Sequence, residues 1–593
     1  MPLARTLAAY PQTRGNLAVV AVVDSSQPEF AFQFESAFAA LAHFGIPFRV
    51  LDLAASPVTD ALVADCRAVL VFQEHLGPRL GAGGQAAVLR AAESGTGLVS
   101  FDADLGGYGE PWLRAAGLVG AGRDREVLAG GTLVLAVRDN DHPITWYQDG
   151  EPRQRLKVPV PTALARPVAP DVAILLEDGD GAPMLVARPL GRGRMVQWLA
   201  SPRLWLRQYF GHTFGLDGVW LHAITWAARK PFVMKAMPPF VRLRFDDCQG
   251  LWRDGRDLAF VDALNERGHV PSLAFCLRAV TADGAARINA LYKNGRAELA
   301  PHTLAPNTSL FWGDQDGEYS AGRFKELFRE IDETCARLGI RPSRILSDHD
   351  HGWSRNAIPG LVARGITYKM NITMPGEPWE APHLDWRPAP YGSMDYAFDA
   401  LPAPADAFFA VFNHYPPAFE SARAYLGADH FLYHRPGGYG PYTWDMLNGL
   451  TRGPAWAANQ VETMARRLAE HTRLGLDAGF FGGSITHSHF VQHLAPDQWT
   501  EILRRADALM PRHRFECAPY DHIADYARSK VQTAVVAAEE SGGEVTIDLT
   551  GEAIVPLRLW VFTDADGVEH RYEPVEPFRG RATARFAATS RGR

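Results

Sequence analysis

Hydrophobic residues form two long series along the chain, and each series predicts strands that alternate with helices. In the first series, residues 16–24 are almost continuously apolar, which is typical of a strand buried on both faces. Residues 34–44 instead carry apolar side chains at helical spacing. Further elements are predicted as strands at 48–53, 68–72 and 97–101 and a helix at 83–94. The alternation predicts a doubly wound α/β fold, a parallel sheet with helices on both faces.

The first series continues to about residue 230 with four more strands and a closing helix. The strands are predicted at 133–137, 172–176, 184–187 and 195–199, and the helix at 218–229. This pattern resembles the flavodoxin-like, glutamine-amidotransferase-like domains found in front of many carbohydrate enzymes. An active amidotransferase needs a cysteine on a strand-to-helix turn, but the corresponding stretch VFQEHLGPRLG has none, and Cys66 precedes its strand. We therefore predict that residues 1–235 form a non-catalytic domain.

A second alternating series follows the segment 230–239, KPFVMKAMPP, whose proline pair stops helix and predicts a linker. Strands are predicted at 241–245, 272–275, 298–301, 344–347, 366–371, 408–412, 430–433 and 480–486. The clearest helix between them is 321–338, which has one apolar stripe. Seven or eight such units predict a distorted (β/α) barrel over residues 236–530, with its chemistry at the carboxyl ends of the strands.

The pattern changes after about residue 530 to short strands separated by turns. They are predicted at 533–538, 544–549, 557–562, 570–572 and 582–587. Turn sequences such as Ser541-Gly542-Gly543 lie between them. Residues 531–593 are therefore predicted to form a small β-sandwich-like domain.

Composition excludes some classes of protein. The chain has 593 residues, a net charge of −7 and no run of Lys and Arg, which argues against a nucleic-acid partner. Its five cysteines are scattered and form no CxxC pair. The sequence shows no apolar run long enough to span a bilayer and no secretory signal. We therefore expect a cytoplasmic protein, or an exported one if a leader has been removed.

Polar residues at the ends of the predicted strands are the candidates for catalysis and metal binding. Asp246 and Asp247 end the strand VRLRFDD, and two adjacent acids make chemical sense where one binds a metal and the other accepts a proton. His302 follows the strand at 298–301. Asp348, His349, Asp350 and His351 follow the strand at 344–347, and His487 and His489 end the strand at 480–486.

In this order the motifs resemble those of the polysaccharide deacetylase family, the NodB-like carbohydrate esterases. RFDDC at 244–248 resembles the first motif, T-F-D-D-G, and PHTLAPN at 301–307 resembles the second, H-T/S-x-x-H. HGWSRNAIPGLVARGITY at 351–368 resembles the region of the third motif, and ITH at 485–487 the late Leu-x-His motif. The resemblance covers residues 240–530.

The resemblance implies metal-dependent hydrolysis of an N-acetyl amide on a sugar. It assigns Asp246 as the general base, Asp247 and His302 as metal ligands and His487 as the general acid. The chemistry of these groups agrees with that assignment, because a divalent ion polarises the acetyl carbonyl and acidifies a bound water. A carboxylate can then take the water proton while an imidazole protonates the leaving amine.

The sequence departs from the family pattern at the third metal ligand. The position of the second histidine of the second motif is Pro306, which cannot bind a metal. We expect His351 to replace it, with His349 and Asn307 as the alternatives, and a zinc-like ion as the cofactor. The arginine that orients the base is also missing from the third motif, although Arg355 and Arg244 are available.

Aromatic residues crowd the region of the third motif and the predicted loops that follow it. Those expected to contact a sugar are Trp353, Trp386, Tyr391 and Trp444, because aromatic rings suit the apolar faces of sugars.

The leading hypothesis is a metal-dependent enzyme that removes N-acetyl groups from an amino-sugar polymer or oligosaccharide. Two alternatives remain open from the sequence. The first is a metal-independent amidase of the same fold that acts on a non-sugar C–N bond, and the second is a catalytically silent glycan-binding protein.

Overall fold

The computed structural model describes most of the chain. The described residues are 10–34, 36–126, 133–146, 153–156, 161–206, 216–248, 258–305, 308, 310, 312–313, 317–346, 355–372, 394–395, 410–414, 459–479, 481–491 and 493–589. No helix in these ranges is both long and apolar enough to cross a membrane.

The first part of the chain is built on one large mixed sheet. Its strands and those of a small flanking sheet are β1 (Val19–Val23), β2 (Phe48–Asp52), β3 (Ala68–Val71), β4 (Gly97–Ser100), β5 (Leu118–Glu126), β6 (Leu133–Val137), β7 (Arg153–Leu156), β8 (Pro161–Pro167), β9 (Ala173–Glu177), β10 (Pro183–Leu190) and β11 (Gly193–Trp198). The large sheet has the order β2-β1-β3-β4-β11-β10-β9-β6-β7, and β5 pairs with β8. It is parallel from β2 to β11 and antiparallel beyond. The mixed α/β class predicted from the sequence is therefore confirmed, while the flavodoxin-like topology stays a prediction.

Helices cover this sheet and bury its apolar strands. They are α1 (Ala37–Phe44), α2 (Asp60–Val63), α3 (Leu76–Glu93), α4 (Glu110–Ala115) and α5 (Asp217–Ala227), with 3₁₀ turns at Pro28–Phe34, Leu105–Gly107 and Pro202–Trp205. Every residue of β1 is buried, as its continuous apolar sequence predicts. The predicted helix at 83–94 is longer in the structure, because it begins at Leu76 and continues past a non-helical residue at Gly81.

The second part contains two larger sheets, beside a small two-stranded one. Its strands are β12 (Phe232–Met234), β13 (Phe240–Cys248), β14 (Ser272–Cys276), β15 (Glu298–Thr303), β16 (Trp312–Gly313), β17 (Gly317–Glu318), β18 (Ile345–Leu346), β19 (Tyr368–Ile372), β20 (Met394–Asp395), β21 (Ala410–His414), β22 (Gly482–His487) and β23 (Glu516–Cys517). One sheet is parallel with the order β15-β14-β13-β22, and β23 pairs with the start of β13. The other has the order β18-β19-β21-β20. The predicted strand at 430–433 lies outside the described residues, so closure into a barrel stays a prediction.

The helices of this part follow the predicted alternation. They are α6 (Phe260–Glu266), α7 (Ala282–Lys293), α8 (Ala321–Leu338), α9 (Ile358–Val362), α10 (Val461–Asp477), α11 (Ser488–Val491), α12 (Pro496–Ala508) and α13 (Tyr520–Val531), with 3₁₀ turns at Leu277–Ala279 and Arg355–Ala357. Helix α8 has the bounds that its apolar stripe predicts. The Ser320 hydroxyl caps its first turn, and Gly339 ends it in the left-handed conformation that glycine adopts at no steric cost.

The end of the chain is all-β, as predicted. Its strands are β24 (Thr533–Ser541), β25 (Glu544–Ala553), β26 (Leu557–Phe562), β27 (His570–Val575) and β28 (Phe578–Ala587). They form one sheet of order β24-β25-β28 and a second of order β12-β26-β27. Strand β12 lies in the segment predicted to be a linker. That segment is therefore held by the last part of the chain, although the proposed domain limits themselves stay predictions.

Candidate functional site

The site is built on β13, whose side chains alternate between two faces. Leu243 and Phe245 pack with the apolar core that contains Trp499. Arg244 and Asp246 therefore point to the other face, and both are buried. The alternation stops at Asp247, which has a φ of 52°. A left-handed conformation is costly for a residue other than glycine, so the surrounding structure must hold Asp247 in place.

Irregular pairing with β14 turns two side chains toward each other. The register between β13 and β14 shifts between Phe245 and Cys248, the stretch that contains Asp247. The register between β15 and β14 shifts after Pro301, where His302 is inserted. Such bulges change the direction in which a side chain points. Both irregularities lie at the carboxyl ends of their strands and flank the end of β14.

The Asp247 carboxylate lies between two imidazoles. Its Oδ1 atom is 3.3 Å from Nε2 of His302, and its Oδ2 atom is 3.9 Å from Nε2 of His487. His302 is almost fully buried, whereas the side chain of His487 is 16% exposed. Of the two histidines, His487 is thus the one more open to a ligand.

Asp246 is held by its neighbour on the same strand face. Both of its carboxylate oxygens accept hydrogen bonds from Arg244, at 2.5 Å from Nε and 2.7 Å from Nη2. The side chains are 4% and 0% exposed, so this is a buried bidentate ion pair. His487 pairs with Asp246 across the parallel strands β13 and β22. The pairing brings Asp246 to the same sheet edge as Asp247 and His487.

A second buried arginine lies below this pair on β13. The guanidinium of Arg242 is 4.5 Å from the ring centre of Tyr520 and donates a hydrogen bond to the Ser484 carbonyl at 3.2 Å. Burial lowers the pKa of Arg242 to about 10 and raises that of Tyr520 to about 12. An aromatic face and a backbone carbonyl thus both contact this buried arginine.

Two smaller side chains complete the surroundings of Asp247. The Ser488 hydroxyl donates to the Asp247 carbonyl at 2.8 Å, which ties the bulge to the first turn of α11. The Cys276 thiol lies 3.8 Å from Asp247 Oδ1. Burial, and then the charge of Asp247, raise the pKa of this thiol, so that it is protonated at neutral pH.

Four of the predicted site residues therefore meet at one edge of the sheet: Asp246, Asp247, His302 and His487. The remaining candidates lie outside the described residues, namely His349, His351, Asn307, Trp353, Trp386, Tyr391 and Trp444. Within the described ranges, no group of three or more His, Cys, Asp or Glu side chains is arranged to hold a metal ion. The third ligand and the sugar-binding residues stay predictions.

The Arg244–Asp246 pair is the feature that the sequence interpretation did not assign. Arg244 was one of two candidates for the arginine that orients the base. The signal was present, because residues two apart in a strand share a face and opposite charges at that spacing can pair.

No protein-family model and no curated protein matches this sequence. A solved structure of a presumed polysaccharide deacetylase from Mycobacterium smegmatis is 13% identical, with a TM-score of 0.32 over 51% of this chain and 94% of that chain. A cytoplasmic protein of Salmonella typhimurium is 12% identical, with a TM-score of 0.27 over 36% of this chain and 100% of that one. An exo-β-1,4-mannosidase from Opitutaceae bacterium strain TAV5 is 12% identical, with a TM-score of 0.23 over 31% of this chain and 30% of that one. At these TM-scores none of the likenesses decides the fold or the function of this chain.

Proposed function

We propose that this protein is a metal-dependent hydrolase that removes N-acetyl groups from an amino-sugar polymer or oligosaccharide. The observation that carries the proposal is the cluster at the carboxyl end of β13. There the Asp247 carboxylate lies 3.3 Å from His302 and 3.9 Å from His487, beside a second carboxylate fixed by an arginine. The cluster supplies the residue types that amide hydrolysis needs.

Asp247 and His302 would hold the ion, and their separation is compatible with that role. Two ligand atoms that are each about 2.1 Å from a tetrahedral ion lie about 3.4 Å apart. The distance of 3.3 Å from Oδ1 to Nε2 is close to that value. A bound divalent ion would polarise the acetyl carbonyl and acidify a water molecule. His351 is our candidate for the third ligand, and His349 and Asn307 are the alternatives.

Asp246 and His487 would move the protons. The bidentate contact with Arg244 fixes the orientation of the Asp246 carboxylate, and each of its oxygens retains a lone pair that can accept a proton from water. His487 is partly exposed and lies beside Asp247, so a bound substrate could reach its imidazole. His487 can then give its proton to the amine that leaves when the amide bond breaks.

The N-acetylated glycan is proposed as the substrate on the basis of the motif resemblance and the aromatic-rich sequence. The chain contains 15 Trp and 17 Tyr, and stacking on such rings is a common way to bind sugars.

Acetate release from a panel of N-acetylated oligosaccharides tests the proposal. We expect release by the metal-loaded protein, loss of release with a chelator and recovery when the ion is restored. The matched control is Cys276→Ala, which alters a neighbour of Asp247 but removes no proposed ligand. No release from these sugars, together with metal-free hydrolysis of a non-sugar amide, would favour the metal-independent amidase. A protein that binds the glycans but releases no acetate under any of these conditions would favour the silent binding protein.

A further inference from the structure

A cleft of about 700 Å³ lies where the three parts of the chain meet. Its lining comes from α1 and α5 of the first part, from the end of α10 and residues 511–516 of the second, and from the sheet β12-β26-β27. Its volume is in the range of small-molecule binding sites, which often lie between domains. The cleft therefore has room for a ligand.

This cleft is separate from the candidate functional site. Pro239 and Gly479 belong to its lining and come just before β13 and β22, at the amino ends of these strands. Asp247 and His487 lie at the carboxyl ends of the same two strands. At about 3.3 Å per residue, the nine residues of β13 place its two ends roughly 25 Å apart. A small ligand in the cleft would thus not touch the residues proposed for hydrolysis.

The sheet β12-β26-β27 gives the cleft an aromatic wall. Trp560 on β26 pairs with Tyr572 on β27, and their ring centres are 5.6 Å apart with the planes at 77°. His570 stacks on Trp560 at 4.0 Å, with ring planes 9° apart. All three residues line the cleft and are only partly buried. Because His570 covers one face of the indole, a ligand that stacks on Trp560 must use the opposite face.

The charges of the lining favour an uncharged ligand. Three of its charged side chains are already paired, and the pairs are Arg512–Asp141 at 2.8 Å, Glu516–Arg558 at 2.5 Å and Asp477–His513 at 2.9 Å. Arg514 and Glu569 also line the cleft, but they are exposed and have opposite charges. Burial lowers the pKa of His222 and His570 to about 4, so that both rings are neutral at pH 7. Neither an anion nor a cation meets a surplus of opposite charge.

Two polar groups beside the indole can hydrogen-bond to a ligand. The Tyr572 hydroxyl makes no hydrogen bond within the described part of the chain. Burial, and then the charge of Glu516, raise the pKa of Tyr572 to about 12, so that its hydroxyl can both donate and accept. Arg558 donates to Oε1 of Glu516, whose side chain is 41% exposed, and Oε2 can accept a further bond. An aromatic face beside these groups suits a sugar ring, which has an apolar C–H face and a rim of hydroxyl groups.

We propose that this cleft is a second binding site, in which a short neutral saccharide stacks on the open face of Trp560 and hydrogen-bonds to Tyr572 and Glu516. An uncharged aromatic compound could also use the indole face, but it offers few hydroxyl groups to the two polar side chains. The site does not depend on the proposed hydrolysis, because it shares no residue with the cluster at the other end of β13.

Fluorine NMR of the full-length protein labelled with 5-fluorotryptophan tests this site. Trp560→Phe removes one signal and so assigns Trp560, while the other tryptophan signals are the internal control. The neutral probes are cellotriose and N-acetylated chitotriose. The trisaccharide of galacturonic acid is an anionic probe of the same size, and benzamide is an aromatic probe without hydroxyl groups. The Asp246→Asn background prevents turnover.

We expect one of the neutral trisaccharides to shift the Trp560 signal saturably, and the anionic and aromatic probes to leave it unchanged. Tyr572→Phe should weaken that binding about fivefold or more, which is the scale of one lost hydrogen bond. Tyr292→Phe is the matched control, because Tyr292 is also partly buried but lies on α7, outside the cleft, and should bind like the parent protein.

Three results would overturn the inference. They are no shift of the Trp560 signal with either neutral trisaccharide, a saturable shift with the anionic or the aromatic probe that is as strong as with the sugars, and unchanged binding in Tyr572→Phe. Acetate release plays no part in this measurement, so failure of the proposed function is judged separately.

Discussion

At the scale of single residues, the two adjacent acids of β13 should have separable roles. We expect Asp246→Asn to retain the metal and to lower turnover by about 10²-fold or more, because the general base is lost. Asp247→Asn should lose the metal instead. Metal content and acetate release per folded molecule would be measured for both variants. If Asp246→Asn empties the metal site and Asp247→Asn does not, the two roles are exchanged.

The third metal ligand is a second prediction at this scale. We expect His351→Ala to lower metal affinity at least about tenfold. That is the low end of the loss in affinity seen when residues that only hydrogen-bond to a metal ligand are mutated. His349→Ala should have a smaller effect and serves as the matched control. Competition with a chromophoric chelator would give both affinities. Unchanged affinity in His351→Ala would leave Asn307 or His349 as the ligand.

The buried pair of Arg244 and Asp246 gives a third prediction. Arg244→Met leaves a carboxylate buried without its counter-charge, which should cost about 3–5 kcal/mol. The double variant Arg244→Met, Asp246→Leu removes both charges and should be more stable than Arg244→Met alone. Hydrogen exchange of β13, read by mass spectrometry, would report local stability. A double variant no more stable than Arg244→Met would contradict the coupling of the two charges.

At the scale of elements, the most accurate predictions from the sequence concern features that depend only on the spacing of apolar residues within one helix or strand. Helix α8 and strand β26 have their predicted bounds because apolar spacing alone defines them. The bulges at Asp247 and His302 depend on the register with β14, which the sequence of one strand does not contain. The meeting of Asp246, Asp247, His302 and His487 was predictable because parallel strands deliver their carboxyl ends to one edge.

The pairing of β13 with β22 depends on a glycine, which gives a fourth prediction. Gly483 has a φ of 118°, and a Cβ atom there would lie 1.7 Å from the Arg242 carbonyl oxygen. Gly483→Ala should therefore destabilise the two strands by more than about 3 kcal/mol. Gly542→Ala is the control, because Gly542 also has positive φ (59°) but nothing within 4 Å of its Cβ position, and it should cost about 1–2 kcal/mol.

Local hydrogen exchange would distinguish these two glycine variants. Faster exchange confined to β13 and β22 is expected for Gly483→Ala, together with weaker metal binding, because β22 carries His487. Equal effects of the two substitutions would mean that the close approach to Arg242 is not what constrains position 483.

At the scale of the whole molecule, buried histidines should make the fold sensitive to acid. Burial lowers the pKa of His269 to about 4 and, more than the charge of Arg467 does, lowers that of His471 to about 3. Burial likewise lowers the pKa of His222 and His570 to about 4. These groups are neutral when folded but take up protons when unfolded at about pH 6.5. Their contribution to stability is therefore complete above pH 6.5 and is lost as the pH falls toward 4.

Urea unfolding between pH 8 and pH 4 would measure this dependence. We expect little change above pH 7 and a steep fall in the unfolding midpoint below pH 6.5. His471→Gln should reduce the slope, because it removes one proton-binding group of the unfolded chain that is buried and neutral in the fold. A flat profile down to pH 4 would contradict the prediction.

The pairing of β12 with β26 affects folding during synthesis, because the ribosome makes β12 long before its partner strand. Residues Phe232–Met234 pair with Trp560–Phe562, more than 300 residues later in the chain. At about 5–20 residues per second, roughly 15–65 s of synthesis separate the two strands. During that time β12 presents an apolar edge with no partner from β26, and such edges readily join other chains. The nascent chain should therefore depend on chaperones after its first sheet has folded, and proteins that terminate before β26 should accumulate as aggregates.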